Sequence, residues 1–317
     1  MHLNNENYIT FITALEAYKY RVLLFKLTNE SIFFQQYMND VLWEFLNDFC
    51  QAYLNDILIY SKIRKKHRNH VRLMLKWLRE AELQINIWKC KFNVKKIIFL
   101  EVIVSEQDLC MNSSKMIIIV NWTTLTNLKE IQNFVRFVNF YHRFIRNFFK
   151  LVKSFTQLTR KDMSCVWNKV CIQAFRNLKK QISFASVLRY FNLKRQTILK
   201  IDALNYVKGE ILFQYDDESV LHSMIFYSKS MILAEINYHI YDKKLLIIIR
   251  YFEHWWLKLK CTESLIQIFI NYQALKIFMK NKQLSQRQVN YLNILSKFNF
   301  QIIFKSSKMN TKVDALT

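Results

Sequence analysis

A chain of 317 residues with one glycine and no proline has few cheap ways to turn a corner. Folded domains average about 7% Gly and 5% Pro. Tight turns call for a positive φ, or a φ locked near −65°, which other residues supply poorly. Hairpins and helix stops here must be made by residues that adopt such conformations at a cost. With turn punctuation erased, element boundaries have to be drawn from hydrophobic period.

The chain can nevertheless bury a core. It is 52% hydrophobic and 15% aromatic, which argues against wholesale disorder and leaves room for two or three compact units. No apolar run approaches the roughly 18 residues of a membrane span. The longest, Leu245 to Ile249 and Ile97 to Leu100, are of strand or helix size. The opening MHLNNENYIT has no signal-peptide pattern, so a soluble protein of the cytoplasm or nucleus is expected. Lys and Arg total 47 against 24 Asp and Glu, and a net charge of +23 favours a polyanionic partner, nucleic acid or anionic membrane. Six cysteines (Cys50, Cys90, Cys110, Cys165, Cys171, Cys261) form no C-x-x-C pair, so reduced thiols are expected rather than zinc. His67 and His70 lie in a Lys/Arg-rich helical stretch, where a solvated face is expected over a metal site.

QAYLNDILIYSK, residues 51 to 62, places two apolar flanks around Asn55-Asp56 and reads as a β-hairpin with that polar pair at its tip. An ordinary turn would do as well. From His67 to Glu82, the apolar residues Val71, Met74, Leu75, Leu78 and Ala81 recur at helical spacing. A second helix is expected from Asn127 as N-cap with Glu130 three residues on, through Ile131, Phe134, Val138, Tyr141 and Ile145; Arg136, Arg143 and Arg146 lie on its other side. Beyond Trp167, a helix over Cys171 to Ile182 precedes strand-like runs at Thr197 to Ile201, Ile211 to Phe213 and Met224 to Tyr227. Helix returns over Asp242 to Leu257, followed by strand-like Ile266 to Ile270, helical Leu292 to Leu295 and strand-like Phe300 to Phe304. The pattern is a mixed α/β unit with a border near residues 163 to 193.

Several segments resemble, in order, the reverse transcriptase and ribonuclease H of gypsy-class LTR retrotransposons. FKLTNESIFFQQYMNDVL at Phe25 to Leu42 resembles the family's F-G-L-x-N-A-P-x-x-F-Q-x-x-M-N-x-x-L, and YLNDILIYS at Tyr53 to Ser61 resembles Y-x-D-D-I-L-I-x-S. LQINIWKCKF, NWTTLTNLKEIQNFVRFVNFYHRFIRNF, LKIDALNYVKGEIL, FYSKSM, AEINY, EHWWLKL and KVDALT continue the match. The resemblance implies a reverse transcriptase palm remnant over residues 1–105, a helical thumb over 106–162, a connection over 163–193 and a ribonuclease H-like mixed sheet with flanking helices over 194–317. Met1-His2 falls where the family has an internal motif, implying that fingers, first palm strand and first catalytic carboxylate are missing.

The family's chemistry uses two Mg²⁺ ions roughly 3.5–4 Å apart, held by hard anionic oxygens. Such crowding of carboxylates is tolerable only against metal charge. In the Y-x-D-D match Asp56 is retained, but Asn55 replaces the first aspartate. Phe25, Gln35 and Tyr53 fall at substrate-binding positions, and Lys26 replaces the glycine beside the nucleotide-pocket aromatic Phe25. In the ribonuclease H match Asp202 and Asp314 stand at the first and last acids, although both could be ordinary surface acids. Lys244 stands at the glutamate and Asn271 at the third acid. Asp56, Asp202 and Asp314 are thus the candidate metal ligands. Lys244 would set a cation against cations. Asp242, two residues earlier, faces another side of its helix and should not substitute. The four ribonuclease H positions are expected to converge at one cleft.

The departures share a direction. Family Gly corresponds to Glu16, Lys26 and Glu101, Pro to Leu24, Ser31 and Ser223, Thr to Ile9 and Ile270, and His to Tyr272. Nearly all follow from C-to-T or G-to-A transitions, including one at Glu101, which is expected to be buried in a strand. The expectation is a decayed copy, catalytically defective, with RNA–DNA hybrid or primer-template as its partner. A non-catalytic nucleic-acid-binding protein and a translated pseudogene are the alternatives.

Overall fold

The computed structural model describes residues 10–20, 27–123, 125, 127–159, 169–204, 207–270, 275 and 284–304. The chain divides into two compact units, Met1–Val94 and Lys95–Thr317. No helix among the described residues is long and apolar enough to cross a membrane.

The first unit opens with a hairpin of β1 (Thr10–Ile12) and β2 (Ala17–Lys19). Its turn is closed by the Thr13 hydroxyl, which donates to the Glu16 carbonyl at 2.9 Å. Helix α1 (Glu30–Val41) follows, then the antiparallel pair β3 (Cys50–Tyr53) and β4 (Asp56–Ile59), then α2 (Arg64–Glu80). Met38 and Leu42 from the first helix region meet Phe45, Phe49, Cys50, Met74 and Leu78 in one small core. Of the stripe expected on α2, Met74 and Leu78 are buried while Leu75 is exposed.

Helix α2 ends without glycine. Glu82 takes φ 57° just past the C-cap, its N–H donates to the Arg79 carbonyl, and the Leu83 N–H reaches back to the Leu78 carbonyl at 2.9 Å. This is the Schellman arrangement, normally built on a C′ glycine.

The second unit begins with a meander of β5 (Lys96–Phe99), β6 (Val102–Ser105) and β7 (Asp108–Met111), and β7 also pairs with β8 (Leu188–Arg189). The sheet thus joins residues on both sides of the expected palm–thumb and thumb–connection borders. Leu100 and Glu101 form the two-residue β5–β6 turn at φ 49° and 60°. Positive φ at both central residues is the requirement of a type I′ turn. Glu101, expected in a buried strand, is instead exposed at this turn, and its carboxylate lies 3.3 Å from Lys115. A charged side chain at a tip meets no desolvation cost, so only its backbone is out of place.

Between β7 and β8 the described residues form four α-helices: α3 (Ser113–Val120), α4 (Leu128–Asn139), α5 (Phe148–Leu158) and α6 (Lys169–Ser183). Asn127 caps α4 as expected, accepting from the Glu130 N–H at 2.9 Å. The helix does not run on to Ile145. It stops at Asn139, and a 3₁₀ turn at His142–Phe144 follows. Tyr141 and Ile145 are buried regardless, in the core shared by Phe134, Phe148, Phe155, Phe175 and Leu178. Each such side chain fully buried contributes about 1.5–3 kcal/mol.

The remainder is a five-stranded sheet in the order β11-β10-β9-β12-β13. Strands β9 (Thr197–Leu204), β10 (Val207–Tyr215) and β11 (Leu221–Ser230) are antiparallel, while β12 (Ile266–Ile270) and β13 (Phe300–Phe304) run parallel to β9. A short α7 (Leu233–Ile236) leads to α8 (Ile240–His254), which breaks at Trp255 before α9 (Trp256–Lys260); α10 (Gln286–Leu295) connects to β13. One helix over Asp242 to Leu257 was expected, and the break separates it into two. Ile198, Ile211, Phe213 and Phe226 face the helices α4 to α6. Leu199, Ile201, Leu212 and Met224 face α8 and α10. The sheet is therefore apolar on both faces, with mixed strand directions and flanking helices as expected.

Candidate functional site

Two places carry the residues singled out by sequence, one in each unit. The first is the β3–β4 hairpin, where Tyr53 pairs with Asp56 and Leu54-Asn55 form the turn. Leu54 sits at φ 49°, the first central position, where two-residue hairpins of type II′ carry glycine. Tyr53, Asn55 and Asp56 are exposed at this tip.

Helix α1 braces the hairpin through Gln35. Its side-chain carbonyl accepts from the Leu54 N–H at 2.6 Å, and its amide nitrogen donates to the Ala52 carbonyl at 3.2 Å and to Asn39 Oδ1 at 2.8 Å. Sequence placed Gln35 among the substrate-binding residues, and in the structure its amide braces the backbone of the hairpin. At the hairpin's base Cys50 is fully buried. Burial, and secondarily the Asp48 carboxylate, push its thiol up to about 11.

The Ser61 hydroxyl joins the two histidines, 2.7 Å from His70 Nδ1 and 3.3 Å from His67 Nδ1, and His70 stacks on Phe49 at 4.1 Å. The pair is therefore half-buried bracing rather than a freely solvated face. Among the described residues no group of three or more His, Cys, Asp or Glu could hold a metal ion.

The second place is the five-stranded sheet. Asp202 lies near the end of β9, its backbone opposite Gly209 of β10, which in turn faces Ser228 of β11. Lys244 lies in α8, buried, in the run that continues through Leu245, Ile247, Ile248 and Ile249. That helix packs on β9. Asp242 turns elsewhere: it accepts from Gln288 Nε2 at 2.9 Å and lies 3.9 Å from Arg287, both in the first turn of α10. It is tied to a different helix from the outset, in keeping with the expectation that it does not replace Lys244. Strand β12 ends at Ile270, one residue before Asn271. Phe25, Asn271 and Asp314 lie outside the described residues, as does the side chain of Asp202.

Sequence reasoning missed the bracing role of Gln35, since its spacing from Asn55 along the chain carries no sign of the contact. It also missed a gathering of cations on the second unit, in which His142 and Arg143 of the 3₁₀ turn, Lys229 of β11 and His254 and Lys258 of α8–α9 come together. Only Arg143 had been marked, as part of a basic helix face.

Residues 7–104 match the family described as reverse transcriptase (RNA-dependent DNA polymerase), and residues 167–266 match the RNase H-like domain found in reverse transcriptase. Families of this kind use divalent metal ions. The Transposon Tf2-3 and Tf2-7 polyproteins of Schizosaccharomyces pombe are each 28% identical to this chain over 315 residues, 99% of its length. The chain spans 24% of the length of either relative. Among solved structures, the foamy viral protease-reverse transcriptase in complex with dsDNA aligns with a TM-score of 0.77 at 16% identity, covering 97% of this chain and 64% of that one. The same viral protein in complex with RNA/DNA hybrid aligns at 0.73 and 17%, covering 94% and 41%. The chain thus carries a reverse transcriptase domain followed by an RNase H-like domain, and is homologous to the Tf2 retrotransposon polyproteins.

Proposed function

We propose that this chain is a degenerate gypsy-class retrotransposon segment that keeps nucleic acid as its partner but has lost the two-metal chemistry of both its domains. The observation that carries this reading is Lys244: a buried lysine in α8, on the helix packed against the strand that holds Asp202. The family resemblance puts a glutamate there. A lysine removes one anionic ligand and adds a like charge against any cation, a repulsion sharpened by the low dielectric of a buried position. The family resemblance also puts acids at the positions of Asp202 and Asn271, and of these two only Asp202 remains an acid.

The hairpin tells the same story with fewer residues. Asp56 alone offers a carboxylate at the tip, and Asn55 offers a neutral amide oxygen. One carboxylate does not match the charge of two divalent ions, and these residues do not fit a two-metal centre. Asp56, Asp202 and Asp314 are the acids that remain, with Tyr53 and Phe25 as surviving contacts for substrate. Purified chain, given RNA–DNA hybrid and Mg²⁺, should bind the hybrid in a salt-dependent manner and leave its RNA strand uncut, and should not extend a primed RNA template. Mg²⁺-dependent cleavage or template-directed extension would overturn the proposal.

A further inference from the structure

Five cationic or protonatable side chains come from three elements that pack together in the second unit: β11 lies against the 3₁₀ turn after α4, and Tyr227 of β11 lies against His254 at the end of α8. The five are His142 and Arg143 from the 3₁₀ turn after α4, Lys229 from the edge strand β11, and His254 and Lys258 from the α8–α9 junction. Aromatic rings hold them in place. The His254 ring lies 4.5 Å from Tyr227 and 4.9 Å from Trp255, the Lys258 ammonium sits 4.9 Å over the Trp255 ring, and the Arg143 guanidinium lies 5.9 Å from that of Phe144. The Phe149 N–H donates to the Ser228 hydroxyl at 3.2 Å, fastening the start of α5 to β11 beside the cluster.

Like charges gathered and partly desolvated repel one another, so such a group is stable only if something offsets it. Among the described residues none of these five has a carboxylate partner. The strain registers in the groups themselves. Burial lowers the affinity of His254 for its proton, and the charges of His142, Lys229 and Lys258 lower it further. Burial, with Arg143 behind it, lowers that of Lys258. The indole N–H of Trp255 is buried without an acceptor. His142 Nδ1 lies 2.7 Å from the Asn139 carbonyl, but among the described residues positive charge in the cluster stands without carboxylate pairing. Lys229, His254 and Lys258 are exposed, so an external anion can reach them.

We propose that His142, Arg143, Lys229, His254 and Lys258 form a docking site for neighbouring phosphates of a nucleic-acid backbone, spanning the 3₁₀ turn, β11 and the α8–α9 junction. The site rests on the reading that nucleic acid is the partner, and deepens it by naming where the backbone is held. It requires no metal, so it survives the loss of catalytic carboxylates. The guanidinium of Arg143, with its planar fork of donors, suits a phosphate better than an ammonium would.

The test uses the full chain and a fluorescent RNA–DNA hybrid, with affinity measured across KCl concentrations. Each phosphate contact contributes about one to the slope of log affinity against log salt. R143Q/K258Q should lower that slope by about two, and K229Q/K258Q, in which both residues are exposed and folding is not at stake, should do the same. K76Q/K180Q removes equal charge elsewhere and should leave the slope unchanged. The His254 imidazole resonance should move when hybrid is added, and not with the same phosphate concentration as inorganic phosphate. Hybrid binding with an unaltered slope in both test variants, or an equal fall in the control, would overturn the site alone. So would loss, in the test variants, of binding to phosphatidylserine vesicles but not to hybrid. Failure of the unmodified chain to bind hybrid would overturn the underlying reading as well.

Discussion

The side-chain carbonyl of Gln35 accepts the Leu54 N–H at 2.6 Å, so that α1 holds the hairpin tip from 19 residues upstream. Its amide nitrogen at the same time donates to Ala52 on the preceding strand. Replacing Gln35 with Leu would leave a backbone donor and an acceptor without partners, at about 1–3 kcal/mol for each group that stays shielded from water. Gln35→Leu should lower the urea midpoint accordingly, whereas Gln35→Glu, which keeps the acceptor for Leu54, should lose less. Equal stability of the leucine variant and the parent would show that the brace contributes nothing.

Glu82 and Glu101 occupy left-handed conformations at φ 57° and 60°. For a residue with a Cβ this costs roughly 1–2 kcal/mol, which glycine avoids. Glu82→Gly and Glu101→Gly should therefore each raise stability by about 1 kcal/mol, although glycine is normally a destabilising choice. The ion pair of Glu101 with Lys115 is surface-exposed and its loss should be minor. Glu80→Gly, two residues earlier and inside α2, should go the other way by a similar amount. Thermal melts of the three variants decide the matter by sign alone.

Alkaline pH should weaken the first unit. The Cys50 thiol in the folded chain is pushed up to about 11, chiefly by burial and then by Asp48. The folded state therefore holds its proton where the unfolded chain has released it. This contribution is fully present below the unfolded thiol's pKa and is lost as pH rises through about 11. Urea midpoints should fall between neutral pH and that value, and Cys50→Ala should flatten the fall. An unchanged alkaline slope in that variant would assign it to another group.

Restoring acids in the RNase H-like domain should restore chemistry. Lys244→Glu together with Asn271→Asp should give Mg²⁺-dependent cleavage of RNA in a hybrid at least about a hundredfold above the parent, since metal ions supply several kcal/mol to such reactions. Either change alone should do little, because residues acting as one unit are strongly non-additive. Circular dichroism must show the double variant folded. A folded, hybrid-binding double variant that cuts nothing would sink the assignment of these positions.

Sequence period carried most of the architecture. Strands β12 and β13 fall where the apolar runs put them, and Asn127 caps α4 because its side-chain oxygen satisfies a backbone N–H that the helix start leaves without a partner. Period failed at the end of α4, since Tyr141 and Ile145 stay buried at helical spacing after the helix itself has stopped. It failed again at Trp255, inside an apolar stretch that gives no hint of a break. The hairpin tip was legible to within one residue: the turn is Leu54-Asn55, with Asp56 already in β4. Left-handed positions were illegible because leucine and glutamate stand where glycine would announce them. The cluster around His254 was illegible for a different reason, since its members are scattered over more than a hundred residues and only the sheet brings them together.

The pairing of β7 with β8 has one further consequence. Asp108 and Leu109 face Arg189 and Leu188, the Arg189 guanidinium lies 3.0 Å from the Asp108 carboxylate, and the Tyr190 hydroxyl donates to the Ser105 carbonyl at 2.9 Å. Helices α3 to α6 thus leave the sheet and return to it through one narrow neck, both ends of which are fastened together. A protease cutting anywhere in that long excursion would sever the covalent chain without releasing either piece. The two fragments would stay clasped at the neck and through the shared aromatic core, migrating as one species until denaturant separates them.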